Sequence, residues 1–449
     1  MKKEYLIYKL SDEVKTSCKI DNDLFPKYGV KRGLRNDDGS GVLVGLTNIG
    51  NVVGYERAAN GMLLPTEGKL YYRGYSLEDL VEPLLKEKRF GFEEIAYLLL
   101  SGNLPDTEEL SAFKELLNEN MPLDHRTIVH IIDLEGSDIM NILARCVLEM
   151  YTFDPNPDDI SRDNLMRQAI ELIAKFPTII SYAYNIYRHS EMGRSLHIRH
   201  PRENSSIAEN FLYMIKHDDY TELDARILDL LLIIQAEHGG GNNSTFTTHV
   251  VTSSGTDTYS AITAALCSLK GPKHGGANLK VVQMMDDLKA HINGYDDLDG
   301  IYNYVSDLLD GKAFDNKGLV YGMGHAVYSL SDPRAVILSD IVKDLAIEKG
   351  LEDEYALYNK FLTVATELIA KKRKIYKGVC PNVDFYSGFG YRMLGIPDEL
   401  FTPLFAVARV GGWSAHRIEE LLNATKIIRP QYIHVGVRNK YIPINKRKK

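Results

Sequence analysis

The sequence has few cysteines, and their spacing suggests no structural role. Its four cysteines, Cys18, Cys146, Cys267 and Cys380, lie far apart and form no Cys-x-x-Cys pair. Pairs at short spacing are typical of zinc knuckles, and closely spaced sets are typical of disulfide frameworks in small secreted domains. We expect neither, and we predict reduced thiols in a reducing compartment.

The chain also lacks a long apolar run and an excess of basic residues, and its first residues do not predict a signal peptide. No stretch reaches membrane-spanning length, and residues 1–17 contain no continuous apolar segment. The formal net charge is -8, whereas proteins that bind nucleic acid without sequence preference usually carry a basic excess. We therefore expect a cytoplasmic protein with no membrane or nucleic-acid partner.

Short motifs of two common enzyme classes are missing as well. There is no His-Glu-x-x-His zinc motif, and the pair Gly322 and Gly324 lacks the third glycine of a dinucleotide-binding fingerprint. The chain has 449 residues, of which 44% are hydrophobic and 25% charged, which is an ordinary globular composition. Its length suits one large domain or two coupled ones.

The distribution of apolar residues predicts a mainly α-helical fold. Residues 1–40 are polar and mixed, and residues 42–75 carry short apolar stretches cut by glycines, which indicates turns and short strands. Helical patterns follow, including a capping signature at Asp106 and Glu109. Residues 227–234 are apolar on nearly every side, which predicts a buried helix inside a multi-helix body. Strands do not alternate with helices, so a parallel doubly wound sheet is disfavoured.

Two histidines lie in glycine-rich segments. His238 follows the predicted buried helix, where polar groups need hydrogen-bond partners, although a simple glycine cap at the helix end would also explain the segment. His274 lies at a turn before a predicted helix over residues 281–288. A helix N-terminus keeps an imidazole neutral and able to donate a hydrogen bond to a developing oxyanion. The alternative is an incidental histidine in a Gly-Pro turn.

Two later segments combine charged side chains with glycines or aromatic residues. After His325, the pair Asp332 and Pro333 predicts a helix start that would place Arg334 in the first turn, where an anion could bind. Asp384 lies among apolar and aromatic neighbours, which raise the basicity of a carboxylate and suit proton abstraction.

The remaining basic candidates carry a weaker signal. Isolated arginines such as Arg409 and Arg429 most often form surface ion pairs. The basic run over residues 371–377 could meet phosphate groups, although such a run is usually a solvated helix end. The lysines and arginine of residues 446–449 predict a solvated tail.

Taken in order, these segments resemble the citrate synthase family. The resemblance is carried by residues 68–75, 92–100, 238, 271–278, 322–334, 381–388 and 409–429. It implies a mostly helical homodimer, in which a large helical domain of residues 46–278 and 390–437 carries a smaller helical domain of residues 279–389 that closes over the substrates. Residues 1–45 would form an N-terminal arm, and residues 438–449 a basic tail.

The resemblance also implies a reaction, citrate formation in the tricarboxylic acid cycle. Asp384 would remove a proton from the methyl group of acetyl-CoA, His274 would hydrogen-bond the thioester carbonyl, and His325 would polarise the ketone of oxaloacetate. Hydrolysis of citryl-CoA would then give citrate and coenzyme A. The family would hold the carboxylates of oxaloacetate with His238, Arg334, Arg409 and Arg429. The last of these would come from the partner subunit, and no metal and no cofactor beyond the coenzyme A thioester substrate is implied.

Three alternatives stay open at this stage. A 2-methylcitrate synthase uses propionyl-CoA, and because one methylene in a pocket is worth only about 1 to 3 kcal/mol, this specificity or a dual one also fits the sequence. A metal hydrolase would draw its ligands from His238, His249, His274 and Asp384. A catalytically silent helical scaffold is the third. The chain also departs from the family pattern near Arg429, where His434 stands in place of an aromatic residue, and after His238, where three glycines follow.

Overall fold

A computed structural model describes residues 3–59, 62–134, 136–373, 378–423 and 426–447, and most of its regular elements are α-helices. The helices are α1 Lys3–Ser17, α2 Leu24–Lys27, α3 Leu77–Glu87, α4 Phe92–Ser101, α5 Thr107–Asn120, α6 His125–Asp133, α7 Ile139–Phe153, α8 Arg162–Ser190, α9 Ile207–Lys216, α10 Glu222–Gln235, α11 Asn243–Thr252, α12 Thr258–Leu269, α13 Ala277–His291, α14 Leu298–Leu309, α15 Pro333–Lys349, α16 Glu352–Arg373, α17 Val383–Met393 and α18 Phe401–Asn423. The predicted mainly α fold is confirmed.

The strands form a small antiparallel sheet in the order β1-β2-β3, with β1 Gly50–Arg57, β2 Leu63–Tyr72 and β3 Tyr75–Ser76. Gly50 pairs with Tyr72, and the register shifts between Val53 and Tyr55. The hydroxyl of Tyr72 donates to the carbonyl oxygen of Ile233 at 3.0 Å, which ties the end of β2 to α10. The short strands predicted within residues 42–75 are therefore present.

The chain divides into two compact units, which are described separately. The terminal unit comprises residues 1–45 and 428–449. Its helix α1 has no buried residue and exposes Ile7 and Tyr8. Helix α1 was not predicted, because residues 1–40 were interpreted as polar and mixed, although Leu6, Leu10 and Val14 follow one another at intervals of four residues. The other unit comprises residues 46–427. The predicted boundary between a large and a small helical domain stays a prediction.

Two long buried helices form the centre of the unit of residues 46–427. In α10 every side chain from Ile227 to Gln235 is buried, as the sequence predicted. Helix α18 is buried almost throughout from Phe401 to Arg417, and it packs against α8, α10, α11 and α12. Both helices therefore bring their few polar side chains into the interior, where such groups require partners.

Local capping fixes where several helices begin. Asp106 and Glu109 form the predicted capping box of α5, in which each side chain binds the backbone amide of the other residue. Asp332 caps α15 by accepting from the amide of Arg334, and Pro333 occupies the first turn, as predicted. No described helix is both long enough and apolar enough to cross a membrane.

Candidate active site

His238 lies just past the C-terminal end of α10, in a turn closed by its own neighbours. The carboxylate of Glu237 accepts from the amide of Gly239 at 2.5 Å, and Gly239 has a φ of 76°, a conformation that favours glycine. The side chain of His238 is buried, and its Nε2 has no partner among the described residues. Burial, together with Arg334, lowers the pKa of His238 well below its usual value. The ring is therefore a neutral group available to a ligand.

His274 precedes α13 and is oriented by a side chain from α11. Its Nε2 lies 3.0 Å from the hydroxyl of Ser244, and that hydroxyl also accepts from the indole N–H of Trp413 at 3.2 Å. Burial, together with the charge of nearby Arg409, lowers the pKa of His274 to about 4. The imidazole is therefore neutral at ordinary pH, and burial, instead of the predicted helix N-terminus, is the main cause.

The tautomer of His325 is fixed by the backbone that follows it. Its Nδ1 accepts from the amides of Val327 at 3.0 Å and Tyr328 at 3.1 Å. Because Nδ1 accepts, the ring proton of the neutral imidazole lies on Nε2, where it can be donated. The ring stacks on Tyr328 at 4.7 Å between centroids and meets the ring of His238 edge to face at 5.0 Å.

Asp384 lies in the first turn of α17 and is held beside the His325 segment by backbone hydrogen bonds. The amide of Asn382 donates to the carbonyl of Gly322 at 2.9 Å, and the amide of Gly324 donates to the carbonyl of Cys380 at 2.8 Å. Asn382 also caps α17 by accepting from the amide of Asp384. These contacts join two segments that are nearly 60 residues apart in the sequence.

The carboxyl group of Asp384 is unusually basic. Its Oδ1 is inaccessible to solvent and has no partner among the described residues. Burial raises the pKa of Asp384 to about 7, although Arg334 and Arg409 oppose the rise. A carboxylate of this pKa is a suitable general base for a weak carbon acid near neutral pH.

Two buried guanidinium groups complete this cluster. Arg334 is paired with Asp332 through Nε at 3.0 Å and Nη2 at 2.7 Å. Arg409 is fully buried and donates through Nε to the carbonyl of Gln235 at 2.8 Å, but its Nη1 and Nη2 have no partner among the described residues. Burial lowers the pKa of Arg409 to about 10. Two unpaired guanidinium nitrogens in the interior are a strong indication of an anion site.

Six of the seven predicted site residues thus belong to one unit, and charge interactions and ring contacts link them: His238, His274, His325, Arg334, Asp384 and Arg409. Arg429 lies in the terminal unit, where it is exposed, and its role stays a prediction. Ser244 was not predicted. It stands in the polar stretch after His238, but nothing in the sequence indicated its contact with His274.

The remaining sequence candidates are not assembled into this cluster. In the basic run, Lys372 contacts Asp310 at 2.7 Å and Arg373 contacts the carbonyl of Gly318. The rest of the run, residues 374–377, lies outside the described residues, so its contact with coenzyme A stays a prediction. Over the described residues, no group of three or more His, Cys, Asp or Glu side chains is arranged to hold a metal ion.

Comparison with known proteins identifies the class of this fold and site. Residues 38–431 match the family model described as citrate synthase, C-terminal domain. A citrate synthase from Synechocystis is 34% identical to this chain, and the match covers 85% of this chain and 89% of the relative. The 2-methylcitrate synthase 1 from Corynebacterium glutamicum is 36% identical, and the match covers 86% of this chain and 94% of the relative. The solved citrate synthase from Thermoplasma acidophilum, a ternary complex with carboxymethyl coenzyme A and oxaloacetate, has a TM-score of 0.77 at 28% identity and covers 93% of this chain and 99% of its own.

These similarities identify the protein as an enzyme of the acyltransferase or synthase type. The chain belongs to the citrate synthase family. Membership implies small-molecule substrates, oxaloacetate and an acyl-CoA.

Proposed function

We propose that this protein is a citrate synthase, which condenses acetyl-CoA with oxaloacetate and hydrolyses citryl-CoA to citrate and coenzyme A. The observation that carries the proposal is Asp384, a carboxyl group with a pKa of about 7 and an unpaired, buried oxygen. The methyl group of a thioester is a weak carbon acid, so its ionisation needs a base and an oxyanion donor held together away from water.

Enolisation is assigned to Asp384 and His274. The carboxylate of Asp384 takes a proton from the acyl methyl carbon, and a ring N–H of His274 donates to the thioester oxygen that becomes negative. The hydroxyl proton of Ser244 can go to Nε2 of His274 at 3.0 Å or to Oδ1 of Asn242 at 3.0 Å. When it goes to His274, the ring proton lies on Nδ1, and this is the form that can donate to the thioester.

Carbon–carbon bond formation is assigned to His325. Its Nε2–H donates a hydrogen bond to the ketone oxygen of oxaloacetate, which becomes an alkoxide as the enolate carbon attacks. Uptake of one proton by the alkoxide, which balances the proton that Asp384 removed, gives the hydroxyl group of citryl-CoA. The amides of Val327 and Tyr328 hold Nδ1 as an acceptor, which keeps the donor proton on Nε2 throughout binding.

Oxaloacetate binding is assigned to the unpaired nitrogens of Arg409, to Arg334 and to Nε2 of His238. A dianion would supply the hydrogen-bond acceptors that the buried guanidinium of Arg409 otherwise lacks. In the proposed homodimer, Arg429 reaches the site of the partner subunit, and a helical small domain closes over the substrates before citryl-CoA is hydrolysed. We propose a cytoplasmic location for the enzyme.

A second candidate is 2-methylcitrate synthase, in which propionyl-CoA replaces acetyl-CoA. It is favoured by the similarity to 2-methylcitrate synthases, of which one from Shewanella oneidensis is 35% identical over 84% of this chain. The two activities share every step above and differ by one methyl group on the enolised carbon.

The test is thiol release by purified protein that receives oxaloacetate with either acetyl-CoA or propionyl-CoA. We expect release to require both substrates, to fall by about three orders of magnitude or more in Asp384→Ala, and to persist in Asp344→Ala, which removes an exposed carboxylate from α15. The ratio of the two thioester rates names the preferred acyl group. Absence of release with both thioesters would refute the synthase assignment.

A further inference from the structure

Beside the site, a line of four titratable side chains runs from the edge of the fold to its interior. Glu420 accepts at 2.7 Å from Nδ1 of His249, Nε2 of His249 lies 3.1 Å from Nδ1 of His416, and Nε2 of His416 lies 3.0 Å from Oε1 of Glu237. The side chains of His416 and Glu237 are fully buried, whereas those of His249 and Glu420 are 12% and 15% exposed. These four residues are called the relay below.

The three contacts of the relay require three protons, one for each hydrogen bond. Two neutral imidazoles supply only two, because each ring then carries a single N–H. With two protons, one of the contacts would join two acceptors at no more than 3.1 Å. The complete relay therefore holds a third, exchangeable proton. Moving a proton across each bond in turn carries this extra proton from the carboxyl group of Glu420 to the imidazole of His249 and then to that of His416, beside Glu237.

The inner end of the relay supports two groups of the oxaloacetate site. Glu237 accepts from the amide of Gly239, so its carboxylate braces the turn that presents His238. Glu237 also attracts the guanidinium of Arg409. The carboxylate is tightly enclosed, because a Cβ at Gly412 would lie 2.6 Å from its Oε2, and one at Gly50 would lie 2.6 Å from its Oε1.

Other charged groups face both ends of the relay. Around Glu237 these are Arg409 on α18, Tyr72 at the end of β2 and Arg73 just after it. Around His249 they are Glu420 and Glu419, both on α18. Burial and His416 lower the pKa of His249, and Glu420 opposes this. The third proton is therefore bound weakly, and only part of the protein molecules carry it. A new negative charge nearby would raise the fraction of molecules that carry this proton.

We propose that Glu237, His416, His249 and Glu420 form a proton relay that positions and charges the oxaloacetate site, so that binding of the dianion draws a proton into the relay. This inference rests on the proposed function, because it takes oxaloacetate as the ligand of His238 and Arg409. The relay residues are positioning residues and touch neither substrate nor reacting atoms. Affinity for oxaloacetate should increase as the pH falls from 8 to 6, by at most about tenfold per pH unit, the limit for uptake of one proton.

The experiment is calorimetric titration of oxaloacetate in buffers of different ionisation enthalpy, which counts the protons taken up on binding. The Asp384→Asn variant is used throughout, because Asp384 would itself take up a proton when a dianion binds. We expect uptake of a fraction of a proton in Asp384→Asn and its loss when Glu420→Gln is added, since the Gln amide N–H can satisfy Nδ1 of His249 without a titrating proton. Adding Glu419→Gln instead removes the same charge without removing a relay bond and should keep the uptake.

Equal uptake with and without Glu420→Gln, or binding with no uptake in Asp384→Asn, would overturn the relay while leaving the proposed function intact. Failure of oxaloacetate to bind either Asp384→Asn or the parent protein would overturn both. Thermal unfolding of each variant checks that the fold is retained.

Discussion

The raised pKa of Asp384 has a measurable consequence for stability. In the folded protein burial holds this pKa at about 7, whereas the ordinary value is 3.8. Ionisation is therefore easier in the unfolded chain, and Asp384 destabilises the fold increasingly as the pH rises from about 4 to about 7. The pKa difference corresponds to about 4 kcal/mol above pH 7 as an upper limit, and partial exposure of the side chain reduces a realistic value to about 2 kcal/mol.

Replacement of Asp384 by Asn removes this cost while conserving the shape of the side chain. We expect the free energy of unfolding of Asp384→Asn minus that of the parent to be about 1 to 2 kcal/mol larger at pH 8 than at pH 5, so that the variant gains stability relative to the parent as the pH rises. Any cost of burying the new amide is independent of pH, so it cancels in this comparison. The measurement is urea unfolding at both pH values and one fixed protein concentration.

Ser387→Ala is the matched control, since it removes a buried hydroxyl one turn along α17 that does not titrate. Its difference from the parent should be the same at both pH values. A difference for Asp384→Asn that does not change with pH would refute the argument that Asp384 is a buried base. In the parent, kcat/KM for the acyl-CoA thioester should rise with pH toward a plateau with a midpoint near the pKa of about 7, because only the carboxylate of Asp384 accepts the acyl proton.

Two further substitutions test the packing around the site. Ser244→Ala removes the hydrogen bond to Nε2 of His274. We expect kcat to fall by about tenfold to a hundredfold, with little change in the KM for oxaloacetate. A rise in this KM as large as the fall in kcat would contradict the orienting role of Ser244. Gly412→Ala should destabilise the protein by about 1 to 3 kcal/mol in thermal unfolding, because the new Cβ would lie 2.6 Å from Oε2 of Glu237. The control is the neighbouring Gly411→Ala, which should be tolerated because its Cβ would lie 3.6 Å from the nearest atom.

Features that depend on neighbouring residues could be predicted from the sequence. The capping box of Asp106 and Glu109 and the start of α15 at Asp332 and Pro333 are set within four residues, so their patterns are direct signals. The buried helix α10 could also be predicted, because residues 227–234 are apolar at nearly every position. Helix α1 was not predicted, since no buried face shapes its sequence.

Features that depend on distant contacts could not be predicted in this way. The local surroundings of His274 and Asp384 indicated their chemistry, but Ser244 lies 30 residues from His274, and His416 lies 179 residues from Glu237. No spacing rule links residues so far apart, and only the packing of α10, α11 and α18 brings them together. An anion site at Arg334 was predicted from the helix start at Asp332 and Pro333, whereas the role of Arg409 entered only through family resemblance. The burial of both guanidinium groups is the physical feature that the sequence did not reveal.

Thiol release alone does not distinguish condensation from simple thioester hydrolysis, so the most direct test follows the acyl carbons. Protein is incubated with oxaloacetate and either acetyl-CoA or propionyl-CoA, each labelled with carbon-13 in the acyl group, in parallel with Asp384→Ala, and the products are identified by mass spectrometry. The account predicts that the label appears in a tricarboxylic acid, citrate or its methyl homologue, and that Asp384→Ala abolishes its formation. If the label of both thioesters were found only in the free acyl acid or in unreacted thioester, the account would be contradicted.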